Sequence, residues 1–432
     1  MMKYGPLSYY RLGQAFPRSE SREFYRDHRK IRLIVATAPV RIPIHWATTG
    51  VAQGLGDGSS EANRIELKKA MENDSSLRQA LVAGDTINCK DDGDLIYDGT
   101  AGPFATLAVG GTANNRIMLR GYNITPGDGG IITIEDSDNG VTNHSIVFNS
   151  KSYWHFLNIT LIDPRFGFHM GTTFGHIFMK CMVRADGPTA VDVNSWVQGA
   201  AVGDSSIWIQ CVSNFTAGGF QCEGRGNKFI NCFAGFCLTH GFNHIPVIHP
   251  GSFHNCVAWG NAGSGFQTSS GICVNCIGAN NGQSGFHFLS PEPIALVNCI
   301  SAANAVGITS SGSIIDPIEV LAVNCNLNPS DKSNSVGASN STVRLQEINQ
   351  VVGDLLWEDE LNIDITPKDG SSLIESAVGF HPFVETLPGA EILDFGTVGA
   401  IQRQDTVLAG INQGIFRYYT GLLPVTKMED LT

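Results

Sequence analysis

Long apolar runs are absent. Among the 432 residues there is no stretch of about 18 consecutive apolar residues, the length that a membrane-spanning helix requires. No membrane partner is therefore expected. The N-terminus, Met1-Met2-Lys3-Tyr4-Gly5-Pro6, lacks the apolar stretch of a secretory signal. The expectation is a chain held in a cytoplasm until assembly, with secretion as the alternative. Charge is scarce, at 16% of residues, while glycine is abundant at 49. Both fit a chain made mostly of strand interiors and corners. Helical periodicity is missing too. The apolar runs are short, alternate with period two, and are broken by Gly, Asn and Ser, which excludes helical repeats. The leucine ladder that leucine-rich repeats need is absent.

Cysteine is not scarce, but paired cysteine is. The count of 11 is odd, and five of the cysteines recur at one phase of a repeat. Stacked at the same point of successive units, they read as a buried ladder of reduced thiols, small and apolar. Cys273-x-x-Cys276 hints at zinc, yet no second pair follows, and residues three apart in a strand point to opposite faces. His244, His249 and His254 share a segment with Pro246 and Pro250. Their spacing fits no standard zinc pattern, so they read as local corner packing. No cofactor or metal is expected.

What the chain does contain is one phrase repeated. It runs Phe229-Ile230-Asn231-Cys232, Phe253-His254-Asn255-Cys256, Cys273-Val274-Asn275-Cys276, Leu296-Val297-Asn298-Cys299, Ala322-Val323-Asn324-Cys325. The cysteines of this phrase are 24, 20, 23 and 26 residues apart. A second landmark follows most of them by about ten residues: Gly241-Phe242, Gly265-Phe266, Gly285-Phe286 and the variant Gly307-Ile308. Two landmarks at a locked spacing mean stacked structural units. Short strands and tight Gly/Asn corners leave no room for a helix. The remaining solution is a parallel β-helix, one coil per repeat, with coils about 4.8 Å apart.

These coils resemble right-handed parallel β-helix proteins of the pectate-lyase-like superfamily. The opening Leu77-Arg78-Gln79-Ala80-Leu81-Val82-Ala83-Gly84-Asp85-Thr86-Ile87 and the following Gly111-Thr112-Ala113-Asn114-Asn115-Arg116-Ile117 are similar to the first coils of that group. Ile365-Thr366-Pro367-Lys368-Asp369-Gly370 and Asp394-Phe395-Gly396 are similar to its close. The resemblance spans residues 75–403 and implies an all-β fold, a right-handed parallel β-helix of roughly twelve coils, about 58 Å long. The superfamily holds lyases, hydrolases, epimerases, phage tailspikes and inert scaffolds, so the fold alone does not assign an activity.

Three segments follow from this reading. Residues 1–58 form a basic arm and linker, residues 59–403 a cap helix plus the β-helix, and residues 404–432 a C-terminal extension. The cap helix is expected from Ser59-Ser60-Glu61 to about Met71, with a second helical turn over Leu77 to Ala83. The first 50 residues carry nine Lys/Arg against Glu20, Glu23 and Asp27, about +6, on a chain of net charge −12. A basic arm on an acidic shaft suggests docking onto something acidic; the alternative is a solvated leader. Nucleic acid is not expected, because acidic residues interrupt the run and no recognition motif is present. The extension holds Phe416, Tyr418, Tyr419, Leu422 and Leu423, apolar surface suited to a neighbouring copy.

Aligning the coils on Gly-Phe yields the candidate site. If Phe168, Val191, Phe220, Phe242, Phe266, Phe286 and Ile308 point inward, the next residues point outward. Those residues are His169, Asp192, Gln221, Asn243, Gln267, His287 and Thr309. All are polar, one per coil, and suited to an extended glycan; the plain alternative is an ordinary solvent face. For a lyase the basic candidates are Lys180, Arg184, Arg225 and Lys228, but the carboxylate cluster that would hold Ca²⁺ is missing. For a glycoside hydrolase, Asp192 and Glu223 on neighbouring coils would stand roughly 8 Å apart, inside the range two catalytic carboxyls need. The leading expectation is a structural or attachment component of an assembled particle, a phage virion protein of tailspike or capsid-decorating type. It would have a glycan-binding face, other virion proteins as partners through residues 1–50 and 404–432, and a trimeric assembly. The alternative is a polysaccharide-degrading enzyme.

Overall fold

The repeated Asn-Cys phrase turns out to be a corner. In the computed structural model, Asn231, Asn255, Asn275 and Asn298 all take left-handed backbone conformations, with φ of 50–52°. Asparagine tolerates this region better than other residues that carry a Cβ. Each corner separates two short strands, such as Lys228–Ile230 and Phe233–Gly235. A second left-handed residue, Phe236 in this coil, sends the chain towards a third strand, Phe242–His244. Three strands and their turns make one coil.

The structure describes residues 44–98, 102–137, 144–164, 166–185, 194–198, 205–222, 224, 226–245, 251–289, 294–310, 318–323, 325–327, 343–348, 357–359 and 364–367. Within them, coil stacks on coil in three parallel sheets of 13, 10 and 9 strands. The first sheet holds the strands before the Asn-Cys corner and the second those after it. The third holds the Gly-Phe strands. Register is strict: Phe229 pairs with Phe253, Phe253 with Cys273, Cys273 with Leu296 and Leu296 with Ala322. The chain is thus a right-handed parallel β-helix. A separate antiparallel pair joins Trp357–Asp359 to Asp364–Pro367.

The core is a set of like-on-like stacks. Phe220, Phe242, Phe266 and Phe286 are buried, with successive ring centroids 4.9, 4.9 and 5.1 Å apart and ring planes within 10° of parallel. Trp208, Phe229 and Phe253 form a second stack at 4.6 and 4.9 Å. The two meet edge-to-face, as Phe229 and Phe242 do. Burying one such ring contributes about 1.5–3 kcal/mol, and each favourable pair adds about 0.5–1.5 kcal/mol. All 11 cysteines are buried and none is in a disulfide, as the thiol ladder requires. Cys276 Sγ points at the carbonyl of Val274, 3.4 Å away, and Cys299 Sγ at that of Val297, also 3.4 Å. Cys273 and Cys276 are both inside, contrary to the opposite-face argument, because the Asn275 corner between them turns the chain.

A buried asparagine ladder fixes the approach to the third sheet. Asn261 Nδ2 donates to Asn281 Oδ1 at 2.9 Å, and Asn281 Nδ2 donates to Asn304 Oδ1 at 2.9 Å. The same oxygens accept the backbone N–H groups of Asn261 and Asn281. Buried amides need such partners, and here each coil supplies those of its neighbour.

The N-terminal end differs from the expectation. The expected helix from Ser59 to Met71 is instead a 3₁₀ turn at Glu61–Asn63, a short strand at Ile65–Glu66 and one helical turn at Leu67–Met71. No helix forms over Leu77 to Ala83. Ile65 pairs with Ala47 of the strand Ile44–Thr48, and that ladder overrides helix propensity. Leu67, Ala70 and Met71 are buried in the core, so this single turn still packs at the N-terminal end. Ile44–Thr48, assigned above to the arm, also pairs with Thr86–Lys90 and belongs to the shaft. Residues 1–43 and 368–432, which carry the attachment and assembly expectations, lie outside the described residues.

Candidate functional site

The third sheet places the Gly-Phe residues in register. Phe168 pairs with Trp196, Trp196 with Phe220, and the series continues through Phe242, Phe266 and Phe286 to Ile308. With the phenylalanines inside, strand alternation turns the following residue outward. His169, Gln221, Asn243, Gln267 and His287 are accordingly half-buried, whereas their inward neighbours are fully buried. The register corrects one rung. Val197, not Asp192, holds the position between His169 and Gln221. The alignment on Val191 was five residues short, because this coil has no Gly-Phe pair to mark its third strand. Thr309 pairs with His287 as expected. Asp192 and Glu223 lie outside the described residues.

The row is a set of hydrogen-bonding groups held on one face. Gln267 Nε2 lies 3.4 Å from His287 Nδ1 on the next coil. The side-chain oxygen of Asn243 is shielded yet accepts no hydrogen bond from the described residues. Burial lowers the pKa of His169. It lowers that of His287 to about 4, with repulsion from His240 adding to the effect. At neutral pH the row carries no charge on any of its described side chains.

His240 was missed by the sequence reading. It sits at the turn before Gly241-Phe242, and its Nδ1 accepts the Ser264 N–H at 3.0 Å. Its position within the coil matches Ser264 and Ser284, whose hydroxyls bond each other at 3.0 Å. The signal was available as the residue two before each phenylalanine. Nearby, Leu238 is 50% and Ile245 37% exposed, on opposite sides of the Phe242–His244 strand. Phe174 is 39% exposed beyond the end of the Phe166–Gly171 strand.

The remaining candidates sit elsewhere. Lys180 is a left-handed corner residue with φ 52°. Lys228 is on the first sheet and Arg184 on the second, so none of the three is on the polar row; Arg225 is outside the described residues. His244 points inward, fully buried against Phe229 and Phe253, with Nε2 3.1 Å from the Gly224 carbonyl. His254 is buried on the first sheet. His249 lies outside the described residues. Among the described residues no group of three or more His, Cys, Asp or Glu side chains is placed to hold a metal.

No family model matches this chain, and no curated protein sequence matches it. Solved structures do. The crystal structure of pectate lyase Pel9A is similar over 86% of this chain and 98% of its own, with a TM-score of 0.56 and 12% identity. The A-module of the Azotobacter vinelandii mannuronan C-5 epimerase AlgE4 is similar over 62% of this chain and 80% of its own, at 17% identity and a TM-score of 0.40. The fold is that of the pectate-lyase-like β-helices.

Proposed function

We propose that this protein is a polysaccharide-binding β-helix whose third-sheet face receives an extended glycan lying along the coil axis. The observation that carries the reading is the row itself. His169, Gln221, Asn243, Gln267 and His287 repeat at one position of their coils, spaced by the strand separation of about 4.8 Å. The Asn243 oxygen leaves hydrogen-bonding capacity unused by the described residues, and the half-buried Gln221 presents its amide on the same face. A linear chain of hydroxyl-bearing rings matches a linear array of amides and imidazoles. In its fuller form the reading makes the β-helix an attachment component of an assembled particle of tailspike type, with residues 1–50 and 404–432 joining it to other copies or partners. The basic composition of the arm and the apolar residues of the extension are its support.

A second reading, a polysaccharide-acting enzyme, is favoured by one observation: the similarity to a pectate lyase extends over nearly the whole of that chain. Asp192 and Glu223 are then the candidate carboxyls. Loss of turnover in Asp192→Asn and Glu223→Gln, with folding kept, is its expected signature.

Affinity electrophoresis through polysaccharide-containing gels tests the first reading. The triple variant Gln221→Ala, Asn243→Ala, Gln267→Ala should keep its melting temperature and bind at least tenfold more weakly, roughly 1.4 kcal/mol. A control on the first sheet, Lys228→Ala with Ser252→Ala, should bind as the parent does. Equal retardation of all three proteins removes the third sheet from consideration.

A further inference from the structure

We infer that the third-sheet face takes a neutral polysaccharide and rejects polyuronates. This rests on the third sheet being the glycan site; it names the class of glycan. A carboxylate on every ring would need a compensating charge on the protein. A polyanion pressed against a half-buried surface loses hydration, and that loss is offset only by cations or by a bound divalent ion. The described row offers amides and imidazoles instead: His169, Gln221, Asn243, Gln267 and His287. Val197 and Thr309, which complete the register, are uncharged as well.

Electrostatics beyond the row points the same way. Lys228 and Arg184 belong to the other two sheets. His240, near enough to repel a protonated His287, is itself pushed towards the neutral form by burial. The whole chain carries −12, with the basic excess confined to its first 50 residues. The remaining chain is therefore strongly negative, and its field repels an approaching polyanion before contact.

The flanks of the row supply the complementary observation. Among the described residues, Leu238, Ile245 and Phe174 are the large apolar side chains exposed beside third-sheet strands. Leu238 and Ile245 bracket the rung of Asn243, and Phe174 follows the strand that carries His169. A ring with polar edges and an uncharged C–H face can use both kinds of surface. A ring bearing a carboxylate must turn part of its charge towards them at a desolvation cost.

The test is a matched panel run on the full-length protein in 0.15 M salt. Hydroxyethylcellulose, galactomannan, arabinoxylan and dextran serve as neutral probes, with polygalacturonate and alginate as uronate probes, each with and without millimolar Ca²⁺. The expected result is retardation by at least one neutral polymer and by neither uronate. Binding should be unchanged, within about twofold, when salt is raised to 0.5 M, and should be weakened at least tenfold in the Gln221→Ala, Asn243→Ala, Gln267→Ala variant. Retention by a uronate polymer that weakens with salt and depends on the same three residues overturns the neutral class while leaving the third-sheet site in place. Retention that the triple variant does not alter overturns the site, whichever polymer is bound. Retention by no polymer of the panel overturns both the class and the glycan reading beneath it.

Discussion

Gln267 Nε2 and His287 Nδ1 stand 3.4 Å apart on adjacent coils. An amide N–H can donate only to a ring nitrogen that carries no proton, so the pair favours the neutral imidazole with its proton on Nε2. Burial acts in the same direction and holds the His287 pKa at about 4. The Gln267→Glu variant reverses the local preference, since a carboxylate beside the ring stabilises the imidazolium. By NMR titration, the His287 pKa should rise by about one unit or more. Glycan binding by the parent should be flat from pH 8 to pH 6 and change only as the pH approaches 4. An unmoved His287 in the variant would mean that the two side chains do not interact in solution.

Three buried histidines predict how the fold responds to acid. Burial lowers the pKa of His155 and His244 to about 4 and that of His176 to about 3. Unfolded, each has its ordinary value near 6.5. Between those limits the unfolded chain binds more protons, so stability is unaffected above about pH 7 and is lost as the pH falls below 6.5. His155 also buries an Nε2 with no hydrogen-bond partner among the described residues. The substitution His155→Leu should therefore stabilise the protein by about 2 kcal/mol more at pH 5 than at pH 7. Urea unfolding at the two pH values measures this, and an equal effect at both would contradict the buried neutral imidazole.

The two asparagine ladders should differ in cost. Asn275 is needed for its φ of 52° and bonds Asn255 through its side chain at 3.1 Å. Asn281 instead satisfies the buried backbone N–H of Asn261 and bonds side chains on both neighbouring coils. Asn275→Ala should cost about 1–2 kcal/mol, because alanine lacks the short amide side chain that makes the left-handed region tolerable to asparagine. Asn281→Ala should cost about 2–4 kcal/mol, because it strands buried polar groups on two coils. Chemical denaturation ranks them; the reverse order would contradict this division of roles.

The thiol stack makes a prediction about reactivity. Burial pushes the Cys256, Cys299 and Cys325 thiols well above their ordinary value, so they are protonated and shielded in the native state. Native protein should resist alkylation, whereas denatured, non-reduced protein should titrate close to 11 thiols, the full cysteine count. Cys276→Ser should destabilise by about 1–3 kcal/mol, since the shorter hydroxyl is drawn back from the Val274 carbonyl that the thiol faces at 3.4 Å. Four or more disulfides in the titration would overturn the reduced stack.

The regular coils were legible because two positions in each are chemically demanding. A left-handed corner calls for Asn, and the inward position after it is filled by Cys, so Asn231-Cys232 and its repeats mark the stack directly. Legibility failed where those demands lapse. Trp196 stands in the Gly-Phe register with Ser195, not glycine, before it, so nothing in the sequence marks this coil's third strand and Val191 reads as its inward residue. The helix read into Ser59 to Met71 failed for a non-local reason: Ile65 is a strand residue only because Ala47 lies beside it. Asn261, Asn281 and Asn304 carry a clear period, but their role as a ladder depends on hydrogen bonds between adjacent coils. On the polar row, six of the seven rungs were readable from strand alternation alone. The partnership of Gln267 with His287 was not, because it depends on which coils are adjacent and in what register.

The most direct test is the structure of the protein with an oligosaccharide of the polymer that binds it. The account predicts the sugar chain lying along the coil axis across the third sheet, with hydroxyls bonded to Gln221, Asn243 and Gln267 and ring faces near Leu238 or Ile245. A saccharide bound on the first or second sheet, or across the strands at an end of the stack, would contradict it.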